Sequence, residues 1–325
     1  MDVIEKIINK IKDGSRFFIF GHVDPDGDCI FSQLAMNWLL KKLGKESVLF
    51  NPGPFLKRPT PAYENLFLQD INLKDQKRDW DIIIDASTPE RLGHFKNFIN
   101  PEKAICIDHH ITNDGYLKIN WIVPQSHSTA ELIFQLITKF NVPLDLSTAQ
   151  CLLDGIVADT GFFRFIDPYN SNPLIATSQL VDIGANLRDS YHKVYENYPL
   201  SSIKILVYAL KRLKLFFHNK VAFTYISYKY IKKHKVKLID SPVIYSQILS
   251  IKGIKLVFLF KQTSLSSVDV GMRSSGKYDI ANIAKYFDGG GHPAAAGCTI
   301  KGNLGQVMKC IKNKISQEFP DLVQD

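Results

Sequence analysis

The length, composition and charge of the chain limit the classes of protein to consider. It has 325 residues, of which 45% are hydrophobic, and a formal net charge of +8 at pH 7. This length predicts two domains, and no apolar run is long enough to predict a membrane-spanning helix or a secretory signal. The sequence therefore predicts a soluble, cytoplasmic protein without a membrane partner.

The excess positive charge and the cysteines both have ordinary interpretations. Most of the excess is lysine, which commonly solvates a surface, and the densest run, KYIKKHKV at 229–236, is interpreted in the same way. A phosphate-bearing partner is the alternative explanation of the charge. The five cysteines are scattered and include no CxxC pair, so neither a disulfide framework nor a thiolate zinc site is predicted.

Short apolar runs alternate with amphipathic stretches in the first half of the chain. The run RFFIF at 16–20 is a predicted strand, and residues 29–44 after it have the periodicity of a helix. Three more predicted strands follow, in the runs ESVLF, WDIIID and AICID. Strands that alternate with helices are typical of a parallel sheet with helices on both faces. The first domain is therefore predicted to be α/β.

Two further helices are predicted in the second half of this domain. Ser-Thr-Ala-Glu at 128–131 has the form of a capping box, which predicts that a helix starts there. In the next helical run, at 147–161, Leu153, Ile156, Val157 and Thr160 share one face, and Gly161 is a plausible terminator. This arrangement puts Asp159 near the end of a helix.

The pattern of elements changes after about residue 190. Residues 191–212 are predicted to form a linker helix, after which strands follow one another more closely, in the runs VAFTYISY, KLVFLFKQ and SSVDVGMRS. This closer spacing is typical of a smaller α+β domain. We therefore predict an N-terminal domain over 1–190 and a C-terminal domain over 213–325.

Aspartates and histidines recur where the predicted elements of the first domain end. Each of these residues taken singly needs no functional explanation, because aspartates are common in turns and at helix caps. The carboxyl ends of parallel strands, however, share one edge of the sheet, where ligands bind. Imidazole and carboxylate donors without a thiolate favour Mn, Mg, Fe or Zn, and so many donors fit two ions that share a carboxylate. The residues are His22, Asp26, Asp28, Asp85, Asp108, His109, His110 and Asp159.

These motifs resemble those of a known family. HVDPDGD at 22–28, Asp85 at a strand end, DHH at 108–110 and ADTGFFRF at 158–165 resemble the four motifs of the DHH phosphoesterase superfamily. GGGHPAAAG at 289–297 resembles the signature of its DHH-associated C-terminal domain. The likeness covers nearly the whole chain and is greatest to the bacterial oligoribonuclease (nano-RNase) and cyclic di-AMP phosphodiesterase branch. One departure is Phe31, where the family usually has a glycine.

The resemblance implies a role for each candidate residue. One divalent ion would be held by His22, Asp26 and Asp85, and a second by Asp28, Asp85, His109 and Asp159. Manganese is the preferred ion, with magnesium, iron or zinc as alternatives. Asp108 would orient a histidine or a water, and His110 would hydrogen-bond the scissile phosphate. The residues assigned to substrate binding are Arg91, Arg273, Gly289, Gly290, Gly291 and His292.

The late glycines have a plainer interpretation beside the functional one. They lack the spacing of a dinucleotide-binding loop, and a simple turn is the alternative to a phosphate clamp that they would form with Arg273.

The function that the resemblance implies is hydrolysis of phosphodiesters by two metal ions. The substrates would be RNA of two to five nucleotides or cyclic di-AMP, and the products (pApA, AMP) would carry 5′-phosphates. The alternatives are an inorganic pyrophosphatase-like phosphoanhydride hydrolase and a non-catalytic nucleotide sensor. The sequence leaves open the choice between linear and cyclic substrates, and between a monomer and a homodimer.

Overall fold

The computed structural model describes residues 2–57, 59–70, 77–196, 198–236 and 239–322. The chain divides into two compact units, Met1–Asn197 and Tyr198–Asp325. The division falls inside the segment predicted as one linker helix, 191–212. That segment contains the end of one helix and the whole of the next.

A five-stranded, all-parallel sheet forms the centre of the N-terminal unit, with strand order β2-β1-β3-β4-β5. Its strands are β1 (Arg16–Phe20), β2 (Glu46–Phe50), β3 (Trp80–Ile84), β4 (Ala104–Asp108) and β5 (Ile119–Ile122). The central strands are nearly continuous runs of apolar side chains, which suits strands buried on both faces. β2 lies on one side of β1, and β3, β4 and β5 follow one another on the other side, so the strand order reverses between β1 and β3.

One face of this sheet packs against α-helices. The helices of the unit are α1 (Val3–Asp13), α2 (Gly27–Lys42), α3 (Thr129–Phe140), α4 (Leu146–Asp159), α5 (Asn172–Asp182) and α6 (Leu187–Tyr195). Ile19, Ile82 and Ile105 from the strands lie in one apolar core with residues of α1 to α5. The predicted start of α3 is confirmed, because Ser128 caps this helix by accepting from the Glu131 amide at 3.2 Å.

The opposite face is covered by 3₁₀ turns at Pro89–Asn97. Leu92 and Phe95 of these turns pack on Phe18 and Phe20 of β1. The α/β class predicted from the sequence is therefore confirmed, with 3₁₀ turns in place of longer helices on this face.

Helices α2 and α4 pack closely beside the edge of the sheet at which the carboxyl ends of the strands lie. A Cβ atom added at Gly155 of α4 would lie 2.6 Å from the Cβ of Ala130 and 3.2 Å from Oδ1 of Asp28. Phe31, the departure from the family pattern, is fully buried in α2, and its ring meets Tyr63 edge-on at 5.2 Å. The larger side chain is thus accommodated within the core.

The C-terminal unit is built on a six-stranded mixed sheet, ordered β10-β11-β9-β8-β7-β6. The strands are β6 (Lys214–Phe216), β7 (Val221–Ile226), β8 (Leu256–Ser264), β9 (Ser267–Ser274), β10 (Gly290–His292) and β11 (Ala295–Lys301). Among the strands that the structure describes in this unit, β7 and β8 are the one pair that runs parallel. This unit is the smaller mixed domain that the sequence predicts.

Helices lie on both faces of the second sheet. They are α7 (Leu200–Leu210), α8 (Tyr228–His234), α9 (Ser241–Leu249), α10 (Ala281–Tyr286) and α11 (Leu304–Glu318). Helices α7 and α9 share a core with Ala222, Val257 and Leu259, whereas α10 and α11 share one with residues of the other face, such as Val270. Within the described residues, no helix has both the length and the apolar composition needed to span a bilayer.

Candidate active site

The candidate residues of the N-terminal unit gather at the carboxyl edge of its sheet. His22, Asp26 and Asp28 follow β1, and Asp85 follows β3 directly. The strand order reverses between these two strands, and open α/β sheets bind ligands at such a point. Asp108 ends β4, and Asp159 ends α4.

His22 lies between two of the aspartates. Its buried ring places Nε2 at 3.6 Å from Oδ2 of Asp26 and 3.5 Å from Oδ2 of Asp85. The other ring nitrogen, Nδ1, is 2.8 Å from the carbonyl oxygen of Val23 and 2.7 Å from Nη2 of Arg91. Arg91, expected at the substrate, therefore contacts the back of a candidate metal ligand.

His109 forms the second half of the cluster. Its Nε2 is 3.1 Å from Oδ2 of Asp159 and 3.7 Å from Oδ1 of Asp85. Its Nδ1 is 3.2 Å from the carbonyl oxygen of Ser126. A proton on Nδ1 can be donated to that oxygen. The ring is therefore held with Nε2 turned toward the carboxylates, the arrangement found for histidines that bind metals.

Asp85 belongs to both halves of the cluster. One of its carboxylate oxygens faces His22 and the other faces His109. The hydroxyl of Thr129 donates a hydrogen bond of 2.9 Å to Oδ1. The backbone of Asp85 is left-handed, with φ of 59°, which aspartate tolerates better than most residues. This central position is the one a bridging ligand requires.

Asp28 is fixed by the start of α3. Its carboxylate accepts from the amides of Thr129 at 2.6 Å and Ala130 at 2.8 Å, and from the hydroxyl of Ser32 at 3.2 Å. The side chain is almost completely buried. Amides at a helix start favour a negative charge beside them, so α3 holds Asp28 in place and offsets part of the cost of burying its charge.

Asp108 and His110 form a pair of their own. Nδ1 of His110 donates to Oδ1 of the fully buried Asp108 at 2.7 Å, and the Asn113 amide donates to its Oδ2, also at 2.7 Å. Nε2 of His110 has no hydrogen bond to another described residue, and its side chain is 39% exposed. Asp108 thus orients a histidine, which is His110, toward solvent.

The pKa values of these groups show an excess of negative charge. Burial, then the charges of Asp85 and Asp159, raise the pKa of Asp28. Burial alone would lower the pKa of His109, but its hydrogen bond to Asp159 and the charge of Asp85 outweigh it and raise the value to about 11. Burial opposes a rise in the pKa of His110 too, yet the hydrogen bond that His110 donates to Asp108 raises it. The cluster stabilises positive charge, which protons or metal cations can supply.

Several contacts at the site were not predicted from the sequence. Cys29 offers its sulfur beside His22 and Asp85, and it accepts from the His22 amide at 3.3 Å. Burial raises the pKa of this thiol, so it stays protonated and positions the loop. Thr129 and Ser126 likewise belong to none of the motifs that predicted the site, because their contacts depend on where a distant helix and loop lie in the fold.

The C-terminal candidates lie at one end of the second sheet. Arg273 pairs across β9 and β11 with Ala295, and Ala295 pairs with His292 of β10. Paired residues project from the same face of a sheet, so Arg273 and His292 share a face. The Arg273 guanidinium also lies 4.5 Å from the centre of the Tyr245 ring.

The three glycines of GGGHP differ in their surroundings. A Cβ atom at Gly289 would lie 2.3 Å from the carbonyl oxygen of Gly297, and one at Gly291 would lie 2.5 Å from that of Ala295. Close packing against β11 thus accounts for these two glycines. Gly290 has nothing within 4 Å of such an atom, so of the three it alone has room for a side chain.

Comparison with known proteins finds a matching family domain in each half of the chain. The DHH family N-terminal domain matches residues 16–156, and the DHHA1 domain matches residues 218–319. A curated relative from Thermus thermophilus, named bifunctional oligoribonuclease and PAP phosphatase NrnA, is 28% identical over 98% of this chain and 94% of its own.

Solved structures have the same fold. An exopolyphosphatase-related protein from Bacteroides fragilis superposes with a TM-score of 0.88 at 25% identity, covering 99% of this chain and 98% of that one. The exonuclease RecJ bound to manganese has a TM-score of 0.55 at 14% identity, covering 99% and 95%. The chain therefore belongs to the DHH phosphoesterase superfamily, as a phosphodiesterase-class hydrolase with a DHH domain followed by a DHHA1 domain.

Proposed function

We propose that the protein uses two divalent metal ions to hydrolyse dinucleotides and short oligonucleotides, with cyclic di-AMP among the candidate substrates. The observation that carries this proposal is the position of Asp85, with one carboxylate oxygen toward each histidine-containing half of the cluster. The name of the Thermus thermophilus relative supports oligonucleotides as the substrate class. Residues 1–190 would carry the metal centre, and residues 213–325 would bind substrate.

The donor set fits two divalent ions. His22, Asp26 and Asp85 would hold one, and Asp28, Asp85, His109 and Asp159 the other. Oxygen and imidazole donors suit Mn, and RecJ, which shares the fold, has been solved with that ion. Two such ions would lower the pKa of a water to make a nucleophile near neutral pH and would neutralise charge on the phosphoryl oxygens. Manganese is our preferred ion, with magnesium, iron and zinc as alternatives.

The remaining residues of the site would position the substrate phosphate. Burial opposes a rise, but the hydrogen bond to Asp108 raises the pKa of His110, and the ring offers Nε2 as a donor to a phosphoryl oxygen. Hydrolysis adds water across the bond between phosphorus and the 3′ oxygen, so the phosphate stays on the 5′ side and the proton goes to the 3′ hydroxyl. A charge-assisted donor at the phosphate stabilises the charge that develops there.

In this proposal the C-terminal domain binds the rest of the substrate. Arg273, with its planar fork of donors, suits a second phosphate, and His292 on the same face suits a base or phosphate next to it. Arg91 would act through His22, which it contacts.

The test is a panel of substrates assayed with the full chain in manganese. Cyclic di-AMP, pApA, RNA of five and of twenty nucleotides, PAP and pyrophosphate are incubated separately, and products are separated by chromatography. We expect pApA or the five-nucleotide RNA to be cleaved to 5′-nucleotides fastest. Preference for pyrophosphate would instead establish the phosphoanhydride hydrolase, and binding of nucleotides without turnover would establish the sensor.

Asp85→Asn is the matched variant for the two-metal part of the proposal. The amide keeps the shape of the side chain and its contact with Thr129 but loses the charge that two ions would share. We expect the variant to bind fewer metal ions per chain by elemental analysis and to lose turnover. Unchanged metal content with full turnover would contradict the bridging role.

A further inference from the structure

The positive charge of the protein is concentrated in one segment of the C-terminal unit. Between Glu196 and Asp240 the chain has ten of its 40 Lys and Arg residues and none of its 32 Asp and Glu residues. The rest of the chain therefore carries slightly more acidic than basic groups. The formal charge of +8 is a local property of this segment.

Two helices bring this charge together. Lys204 is exposed on α7 and Lys211 directly after it, and Lys229, Lys232 and Lys233 are exposed on α8. The two helices are joined by contact, because the Tyr230 hydroxyl of α8 donates to the carbonyl oxygen of Lys204 at 3.5 Å. Lysines interpreted from the sequence as a solvated face thus belong to a surface made by both helices.

Aromatic side chains form a stack within this surface. The guanidinium of Arg212 lies 3.4 Å from the centre of the Tyr208 ring, the Tyr208 and Tyr230 rings are 3.7 Å apart, and those of Tyr230 and His234 are 4.4 Å apart. The Tyr208 hydroxyl is fixed by Ser227 at 2.7 Å. His234 ends the stack and is exposed.

A cavity lies beside the exposed end of the stack. Its volume is about 480 Å³, within the range of sites that take small organic ligands. Lys204 and Lys235 supply charge at its wall, and Tyr230 and His234 supply ring surface. A concave site with cations and aromatic rings suits a flat base attached to a phosphate.

We propose that this α7/α8 surface is a binding site for single-stranded RNA, in which the lysines contact backbone phosphates and the cavity takes a base next to His234. Proteins that bind single strands without sequence preference combine these two features. The site consists of residues of the C-terminal unit alone. It requires neither the metal centre nor hydrolysis.

The test is equilibrium binding of a 5′-fluorescein-labelled, twenty-nucleotide oligouridylate with phosphorothioate linkages, followed by fluorescence anisotropy with the metal-loaded full chain. A gel run afterwards checks that the strand is intact. Lys232→Gln/Lys233→Gln removes two charges from α8. The matched control, Lys301→Gln/Lys309→Gln, removes two exposed charges from β11 and α11 of the same unit.

We expect the α8 variant to raise Kd on the order of tenfold and to reduce the slope of log K against log salt by about 1.4, because each single-strand phosphate contact contributes about 0.7. His234→Ala should raise Kd about fivefold or more, while His234→Phe, which keeps a ring, should bind as the parent does. The control pair should change little. Hydrolysis of pApA should be the same in all these variants.

Three results would overturn the proposal. The first is equal weakening by the α8 pair and the control pair, which means general attraction to a positive protein. The second is no measurable binding of the strand by the parent. The third is tighter binding to phosphatidylglycerol vesicles than to the strand with the same dependence on Lys232 and Lys233, which would make α7/α8 a membrane-binding surface.

Discussion

His109 and His110 are neighbours in the chain but are held in different ways. His109 has its Nδ1 against a backbone carbonyl and its Nε2 among carboxylates, whereas His110 has its Nδ1 on Asp108 and its Nε2 toward solvent. Adjacent histidines can therefore serve different purposes, one as a metal ligand and the other as a donor to the substrate.

Single substitutions should separate these two purposes. We expect His109→Ala to lose metal as well as turnover. His110→Ala should keep its metal and lose about 10²–10³-fold in kcat, the usual effect of removing one donor to a developing charge. Elemental analysis beside steady-state kinetics makes the comparison. Equal metal loss in both variants would show that the two histidines have been assigned wrongly.

Arg273 provides a second prediction for a single residue. If it binds a phosphate away from the scissile bond, Arg273→Ala should weaken pApA hydrolysis by an amount on the order of 1.5 to 3 kcal/mol in kcat/KM. A small activated ester such as bis(p-nitrophenyl) phosphate should be hydrolysed at the parent rate, because it lacks a second phosphate. The same loss on both substrates, with metal content unchanged, would refute substrate selection by Arg273.

Among the elements, α4 depends on a close approach to its neighbours. Gly155 leaves room for Ala130 and Asp28, and the same helix ends at Asp159. Any displacement of α4 would therefore move the candidate ligand Asp159 and press on the candidate ligand Asp28.

Gly155→Ala should expose this dependence. Because the added methyl overlaps the Ala130 side chain, we expect a loss of about 1–3 kcal/mol in the free energy of unfolding together with weaker metal binding. Urea denaturation and metal titration measure the two effects. Gly305→Ala in α11 is the control, since a Cβ there meets its nearest atom at 3.6 Å. A stable Gly155→Ala variant with parent metal affinity would contradict this role of α4.

The elements that the sequence predicted well are those with strong local patterns. β1, β3 and β4 are apolar runs followed by polar motifs, and Ser128 has capping chemistry that acts over three residues. The cover of 3₁₀ turns at 89–97 and the division of 191–212 between α6 and α7 have no comparable local pattern. At the site, the motif residues were foreseeable, but the Arg91 to His22 and Thr129 to Asp85 contacts join residues 69 and 44 positions apart. Only the folded chain determines such pairs.

For the whole molecule, the proposed metal centre and the basic surface of α7 and α8 belong to different units. Metal binding should then stabilise the N-terminal unit and leave the C-terminal one unaffected. All three tryptophans, Trp38, Trp80 and Trp121, lie in the N-terminal unit, so their fluorescence reports on that unit alone. The native chain thus contains a specific probe of the unit that holds the candidate active site.

We expect manganese to raise the unfolding midpoint seen by tryptophan fluorescence. At a free concentration about a hundred times Kd, one bound ion adds about 2.7 kcal/mol to the free energy of unfolding. Far-UV circular dichroism, which reports on both units, should show a second transition that manganese leaves in place. A tryptophan midpoint that is the same in manganese and in chelator would argue against metal binding in this unit.

The hydrogen bonds from Thr129 and Ala130 to Asp28 give the protein built-in spectroscopic reporters. An ion that draws electron density from the Asp28 carboxylate weakens its hold on these two amides, so their proton resonances should move upfield on metal titration. Asp28 is a proposed ligand of only one ion. Thr129 and Ala130 would therefore record the filling of that position by itself, a distinction that total metal content cannot make.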